Sequence, residues 1–370
     1  MIFLIILIIS FLYLFYIIWL TESFQGIEKK SNDIFYPFVS IVISAKNEEH
    51  NIDNLMHNLM MQNYPVDKFE IIIANDKSED NTLNKIRKYS TKMNNLNIVD
   101  VKNTPKNWGS KKWAIKQCID KSLGEIILQT DADCTHESTW LFEMVQPFQK
   151  HNIGFVCGPS YIGKNNNFWD EIIKLESIAQ ESFTYANSKR NLYISCTARN
   201  IAFRKALFSD INGYEGINHI ESGDDDLLLH KVVKNSKTEV YFLANPYALV
   251  SSNSPNSIKG FYMQRLRYAS KGLLYFKLPT PKEVKIILPF LMVSNFAIVC
   301  SITNLISTQS LIWLLPLILK SISDFLIITK YMNLISVKFN LLNFIILAVL
   351  HPFYIVLLGT ISPLTKVQWK

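Results

Sequence analysis

The first twenty residues, MIFLIILIISFLYLFYIIWL, contain no charged side chain. About 20 consecutive apolar residues are enough to cross the hydrocarbon core of a bilayer as a helix, so this segment limits the chain to folds that can hide such a surface. A secretory signal would open on basic residues and close on a small-x-small cleavage site. Here no basic residue precedes the apolar run, and bulky Tyr16, Trp19 and Leu20 fill its end. The expectation is an uncleaved transmembrane anchor over residues 1–20.

Three more apolar stretches, roughly Ile286 to Ile306, Leu311 to Thr329 and Leu341 to Leu358, predict a C-terminal membrane region of about three spans over residues 284–360. The loop Ser307-Thr308-Gln309-Ser310 between the first two is uncharged, whereas Lys330 and Lys338 lie between the second and third. Lys-bearing short loops stay in the cytoplasm. Counting back then places the middle of the chain in the cytoplasm and the N-terminus outside, with the terminal Lys366 and Lys370 on the outer side. The expected location is the cytoplasmic membrane of a bacterium.

Hydrophobic residues make up 49% of the chain, yet its formal net charge is +7. The basic residues flank apolar segments and form no Arg-rich or aromatic-interleaved patch, which points to an anionic membrane surface and excludes nucleic acid. Five cysteines, at 118, 134, 157, 196 and 300, are odd in number and show no CxxC spacing. They read as free thiols in a reducing compartment, with neither a zinc site nor a disulfide framework.

Between the apolar ends, residues 35–257 read as one α/β domain. Phe38 to Ser44, Phe69 to Ala74, Leu96 to Val101 and Gly124 to Gln129 are strand-length apolar runs. Helical patterns separate them, including Ile52, Leu55, Met56 and Leu59 on one face and Lys111 to Lys121. Strands alternating with helices predict a mixed, mainly parallel sheet with helices on both faces. In such sheets ligands bind beyond the carboxyl ends of the strands. There the first strand runs into Ala45-Lys46-Asn47-Glu48-Glu49, the second into Asn75-Asp76-Lys77-Ser78-Glu79-Asp80, and the fourth into Asp131-Ala132-Asp133. A single acidic cluster is ordinarily a solvated loop; three at one edge indicate a site.

Two carboxylates at alternate positions repel, and hard oxygen ligands of this kind suit a divalent cation bound to a substrate phosphate. Gly109-Ser110-Lys111-Lys112 precedes a helix, whose N-terminus favours anions; a solvated basic face is the alternative. Farther on, Glu221-Ser222-Gly223-Asp224-Asp225-Asp226 crowds carboxylates that raise one another's pKa, as suits a general base. Acids also cap helices, and Asp226 reads as the capping or structural member. Gln264-Arg265-Leu266-Arg267-Tyr268 lies within Ile258 to Phe276, a basic and aromatic stretch that reads as an interfacial amphipathic helix. The interfacial segment as a whole spans residues 258–280.

Taken together, these motifs resemble the family 2 glycosyltransferases, in particular the membrane-anchored branch related to cellulose, chitin and hyaluronan synthases. The resemblance runs from about Phe38 to Lys271. Ser44-Ala45-Lys46-Asn47-Glu48 looks like the opening motif, with Lys46 for the usual Arg. Asn75-Asp76-Lys77-Ser78-Glu79-Asp80 looks like Asp-Asp-Gly-Ser-x-Asp, with Asn75 for the first Asp and Lys77 for Gly. Lys111 three residues before Ala114 matches Gly-Lys-x-x-Ala, and Asp131 with Asp133 matches Asp-x-Asp. Thr197 to Arg204 resembles the acceptor-side Gly-x-Asn segment, with Ala198 where Gly is common. Asp224-Asp225 stands in place of the Glu-Asp of the base motif, and Gln264-x-x-Arg267-Tyr268 matches Gln-x-x-Arg-Trp with Tyr for Trp.

The resemblance implies a GT-A-like (Rossmann-like) fold and a nucleotide-diphosphate sugar donor, a UDP-sugar ahead of a GDP-sugar. Ala45, Asn47, Glu48, Asp76, Lys111, Asp131, Gln264, Arg267 and Tyr268 would bind that donor, with Asp76 on the base. Asp133 and Asp131 would hold Mg²⁺ or Mn²⁺. Asn200 would lie on the acceptor side, and Asp225 would be the base with Asp224 as the alternative. The implied reaction is one inverting displacement onto a lipid or glycan hydroxyl, in envelope polysaccharide or glycolipid synthesis. Two other classes compete: a transporter or channel component with a nucleotide-sensing domain, and an inactive scaffold. Lys320 and Asp324, four apart inside an apolar span, are the feature a transporter would use; a helical ion pair is the simpler reading.

Overall fold

A computed structural model describes residues 1–24, 34–163, 167–255, 257–278 and 280–362, so Lys366 and Lys370 lie outside the described residues. The chain divides into two compact units. A helical unit comprises Met1–Gly26, Gly163–Ile194 and Ser254–Lys370, and a sheet unit comprises Ile27–Ile162 and Ser195–Asn253. Residues 163–194, which the sequence reading kept inside a continuous 35–257 domain, are thus grouped with the helices.

The helical unit begins with α1 (Ile2–Thr21). The sheet unit then alternates β1 (Val39–Ala45), α2 (Ile52–Met60), β2 (Phe69–Asn75), α3 (Thr82–Ser90), β3 (Leu96–Asp100), α4 (Ser110–Lys121) and β4 (Ile126–Asp131). β2 and β4 flank β1, and β3 follows β2, all parallel. Parallel strands are covered on both faces and so read as continuous apolar runs; accordingly Ile41, Val42, Ile43, Ile71, Ile72, Ile73, Ile127 and Leu128 are all fully buried. The helix α2 turns Ile52, Leu55, Met56 and Leu59 onto this core, as their spacing predicts. Gly124, just before β4, is required by close approach, because a Cβ there would lie 2.5 Å from the Ser40 backbone nitrogen.

Shorter elements complete the unit: β5 (Cys134–His136), α5 (Trp140–Val145), β6 (Ile153–Cys157) and β7 (Ser160–Ile162). The chain then leaves for α6 (Phe168–Ser188) of the helical unit, and returns with β8 (Ile201–Arg204), α7 (Lys205–Asp210), α8 (Asp226–Asn235), β9 (Glu239–Phe242) and β10 (Val250–Ser252). The main sheet has seven strands in the order β3-β2-β1-β4-β8-β6-β9, and only β8 is antiparallel to its neighbours. A second, three-stranded sheet has the order β5-β10-β7.

The helical unit ends with α9 (Ile258–Ala269), α10 (Leu274–Lys277), α11 (Lys282–Thr308), α12 (Leu314–Leu334) and α13 (Leu341–Ile361). The single amphipathic helix expected over 258–276 is therefore two helices, α9 closing at Ser270. Among the described residues, four helices are long and apolar enough to cross a membrane: Ile2–Thr21, Lys282–Thr308, Leu311–Leu334 and Leu341–Ile361. The Leu311–Leu334 helix holds a charged pair. Lys320 Nζ donates to Asp324 Oδ2 at 2.6 Å, and Tyr13 of α1 donates to Asp324 Oδ1 at 2.7 Å.

Candidate active site

The carboxyl ends of β1, β2 and β4 fall at one edge of the main sheet, since Ala45 pairs with Asn75 and Ser44 with Asp131. The loops after β1 and β2 are hydrogen-bonded into one surface. Asn47 N donates to Ser78 Oγ at 3.1 Å, and Glu79 N returns a bond to Asn47 Oδ1 at 2.9 Å. Glu48 N donates to Thr82 Oγ1 at 2.8 Å and Glu49 N to Asp80 Oδ2 at 3.1 Å. Asn47 and Lys77 both have φ of 57°, a left-handed geometry that Asn tolerates and Gly adopts freely. Ala45 is buried and offers only backbone, its carbonyl accepting from Asp76 N at 2.8 Å.

Asp76 is buried, and its Oδ1 accepts from Ser110 Oγ at 2.8 Å while Lys77 Nζ lies 3.4 Å away. Asn75 donates from Nδ2 to Asp100 Oδ1 at 2.9 Å. An aspartate at 75 would set two carboxylates against each other there, which accounts for the amide.

Lys111 is the centre of the site. Its ammonium donates to Asp131 Oδ1 at 2.8 Å and lies 3.0 Å from Asp224 Oδ2, where Gln129 Nε2 also donates at 2.9 Å. Burial pulls the Lys111 ammonium down, but Asp131 and Asp224 outweigh it and hold its pKa above the ordinary range. Burial likewise raises Asp224, while Lys111 and Lys112 bring it below the usual carboxylate value. Lys112 is wholly buried and donates to the carbonyls of Ile220 and Ser222, each at 2.6 Å. Neither lysine is a solvated face: one neutralises carboxylates, the other fixes the loop that carries the acidic triplet.

Asp225, not Asp226, is the N-cap of α8. Its Oδ1 accepts from Asp226 N at 2.7 Å and its Oδ2 from Ala198 N at 3.0 Å. Of the two roles expected for Asp226, capping or structural, capping falls to Asp225; Asp226 is buried and accepts from Leu227 N at 2.8 Å. Asp225 remains half-buried, and an ionised carboxylate has lone pairs beyond two such bonds.

Burial pushes the Asp133 carboxyl up to about 6; Asp131 adds to the rise, and Arg199 and Lys111 oppose it. Burial also pushes Glu48 up to about 7, with an Asn51 hydrogen bond opposing and Asp133, Asp131 and Asp80 adding to the rise. Arg199 went unnoticed in the sequence. It precedes Asn200, its carbonyl accepts from Thr130 Oγ1 at 2.8 Å, and its Nη2 donates to Ser160 Oγ at 3.3 Å.

Asn200, expected on the acceptor side, has its side chain held by the fold. It is 1% exposed, its Nδ2 donates to the carbonyls of Pro159 and Ala248 at 2.9 Å each, and its Oδ1 accepts from Trp140 Nε1 at 2.9 Å. Its amide is consumed by the fold. Gly158 is glycine for the same reason, since a Cβ there would lie 2.3 Å from Asn200 Nδ2. Gln264, Arg267 and Tyr268 lie on α9 of the helical unit. The sheet unit brings together Glu48, Lys111, Asp131, Asp133, Asp224 and Asp225.

Comparison with known proteins bears on the family and the fold. Residues 40–211 match the family model for Glycosyl transferase family 2. The chain is 27% identical to glycosyltransferase AglE of Haloferax volcanii over 191 residues, 51% of this chain and 59% of that protein. It is 34% identical to beta-monoglucosyldiacylglycerol synthase of Trichormus variabilis over 134 residues, 36% of this chain and 28% of that one. With poly-beta-1,6-N-acetyl-D-glucosamine synthase of Staphylococcus epidermidis it shares 25% identity over 297 residues, 74% of this chain and 66% of that one. The match thus spans little more than half of the first relative and under a third of the second. Among solved structures, mannosyltransferase PcManGT from Pyrobaculum calidifontis, in complex with GDP-Man and Mn²⁺, aligns over 98% of both chains with a TM-score of 0.62 at 16% identity. The fold is GT-A-like, with apolar helices at both ends of the chain.

Proposed function

Residues 40–211 match the family model for Glycosyl transferase family 2, and from that match we propose that the chain is a membrane-bound, inverting glycosyltransferase. It moves a sugar from a nucleotide-diphosphate sugar, a UDP-sugar ahead of a GDP-sugar, to a hydroxyl of a lipid or glycan. The observation that carries this reading is the Lys111 bridge between Asp131 and Asp224, at the sheet edge where Asp225 is held by two backbone donors. The four apolar helices support a membrane location; Lys330 near the end of α12 and Lys338 after it favour the cytoplasmic side for that end.

In this mechanism Asp225 accepts the proton of the acceptor hydroxyl as its oxygen forms a bond to the anomeric carbon. The bond from that carbon to the diphosphate oxygen breaks on the opposite face, inverting the configuration. The N–H groups of Ala198 and Asp226 fix the Asp225 carboxylate, so a lone pair stays directed at one position. Lys111 holds Asp131 and Asp224 in register and keeps Asp224 ionised beside it. Gln264, Arg267 and Tyr268 are assigned to the same reaction by their motif alone.

Asp133, Asp131 and Glu48 suit a divalent cation by chemistry: they are hard oxygen donors whose crowding contributes to the raised Asp133 and Glu48 pKa. Among the described residues no group of three or more His, Cys, Asp or Glu side chains is placed to hold a metal ion, so Asp133 and Asp131 would need donor phosphates and water as further ligands. Bound there, Mg²⁺ or Mn²⁺ supplies neutralisation of charge on the leaving diphosphate. The test is a panel of UDP- and GDP-sugars offered to the purified full-length protein in lipid, with product read by mass spectrometry. Transfer that requires Mg²⁺ or Mn²⁺ and disappears in Asp133→Ala supports the reading; full activity in that variant removes the metal assignment.

A further inference from the structure

The most elaborate polar cluster of the helical unit centres on Arg265, inside the Gln264-x-x-Arg267-Tyr268 segment but outside its motif positions. Arg265 is 3% exposed and Glu176 of α6 is 1% exposed. Arg265 Nε donates to Glu176 Oε1 at 3.1 Å, and its Nη2 donates to Glu176 Oε2, a two-pronged contact. The third guanidinium nitrogen, Nη1, donates to Gln264 Oε1 at 2.9 Å. The rings of Phe261 and Tyr268 lie 4.8 Å and 5.4 Å from the guanidinium carbon. Glu176 Oε1 accepts in addition from Tyr354 OH of α13 at 2.6 Å and from Gln180 Nε2.

A buried ion pair is a weak source of stability, because desolvating two charges offsets much of their attraction. What it supplies is direction. The planar guanidinium forms a rigid fork, and a cation over an aromatic face restrains the ring. Every nitrogen of Arg265 is committed, and two of the groups it restrains are motif residues, Gln264 by a hydrogen bond and Tyr268 by its ring. Tyr354 ties the same carboxylate to the last apolar helix.

We propose that Glu176 and Arg265, with Tyr354, are positioning residues that fix Gln264 and Tyr268 in their working rotamers and set the register of α9 against α6 and α13. The inference rests on the proposed transferase reading, in which Gln264 and Tyr268 act in sugar transfer. Without the pair, α9 still forms but presents those side chains loosely.

The test compares the full-length wild type in lipid nanodiscs with a neutralised pair, Glu176→Gln combined with Arg265→Met, and with Tyr354→Phe. Replacing a buried pair by neutral groups of similar volume is often without loss of stability, so the double variant is expected to unfold near the wild-type temperature. Its donor KM is expected to rise about tenfold or more with a smaller change in kcat, and amides of residues 258–269 should exchange about tenfold faster while those of α12 do not change. Wild-type KM and exchange in a folded double variant would overturn the proposal. If the double variant does not fold, Tyr354→Phe decides: a KM raised about threefold with faster exchange in α9 supports it, and wild-type values of both overturn it. A wild type without turnover on any nucleotide sugar defeats the transferase reading instead, and the exchange comparison then decides the positioning claim alone.

Discussion

Lys111 donates to Asp131 at 2.8 Å, joining the start of α4 to the end of β4. Because Asp224 lies 3.0 Å from the same ammonium, one cation connects the Asp-x-Asp to the acidic triplet about ninety residues later in the chain. The donor end and the base end of the proposed site are therefore electrostatically one object.

Removing that cation leaves two carboxylates facing each other, one of them almost wholly buried. Lys111→Met is expected to lower stability by about 3 kcal/mol, the scale for breaking a buried pair by deleting one partner. Thermal unfolding of the two proteins in the same lipid checks this. Lys111→Arg should recover most of the stability and little of the transfer rate, because a wider guanidinium cannot occupy the position of an ammonium between two oxygens.

The base assignment is separable from the cap. Asn and Asp are nearly equal as N-caps, so Asp225→Asn should keep α8; its single amide oxygen can accept from only one of Asp226 N and Ala198 N, so a modest drop in unfolding temperature accompanies loss of the proton acceptor. The expected result is a fall in single-turnover transfer of about 10²- to 10⁴-fold with nucleotide binding retained. Asp224→Asn should act differently, weakening donor binding because Lys111 loses one of its partners. If Asp225→Asn transfers at the wild-type rate while Asp224→Asn does not, the two roles are reversed.

The first half of the fold was legible because β1, β2 and β4 are largely apolar, buried runs, and the Asp-x-Asp was legible because it ends one of them. The second half was not. β5, β7 and β10 are three residues each, too short for any periodicity to register. Asn200 illustrates the limit at the site: its motif context is visible in sequence, but its saturation by Pro159, Ala248 and Trp140 depends on contacts 40 to 60 positions away. Arg265 and Arg267 stand two residues apart in one basic segment, and only the fold shows which of them meets Glu176.

If Asn200 serves the fold, its removal should affect stability more than chemistry. Asn200→Ala leaves the Trp140 indole N–H and two carbonyls without their partner, and a buried unsatisfied group costs about 1–3 kcal/mol. A drop of that size or larger in unfolding free energy is expected, with acceptor KM of the folded protein close to wild type. A large rise in acceptor KM without loss of stability would restore the acceptor-side role.

His136 sets an acid limit on the sheet unit. Thr130 Oγ1 gives its proton to the Arg199 carbonyl, so its 2.8 Å contact with His136 Nε2 requires the imidazole to donate from Nε2. The other ring nitrogen, Nδ1, is then a bare acceptor, buried and without a hydrogen-bond partner. Burial lowers the His136 pKa to about 3. The unfolded chain binds a proton at its ordinary value of about 6.5, so between that pH and about 3 the unfolded state holds one more proton than the folded one. Stability is unaffected above the unfolded value and falls by about 1.4 kcal/mol per pH unit as the medium is acidified through this window. Neither ring nitrogen has a carboxylate hydrogen-bonded to it to offset the charge of a protonated imidazole. His136→Gln should therefore flatten the acid limb of the stability curve between pH 6.5 and 4 by about one proton's slope, measured as unfolding temperature against pH for both proteins. Parallel curves would show that another group controls the acid limb.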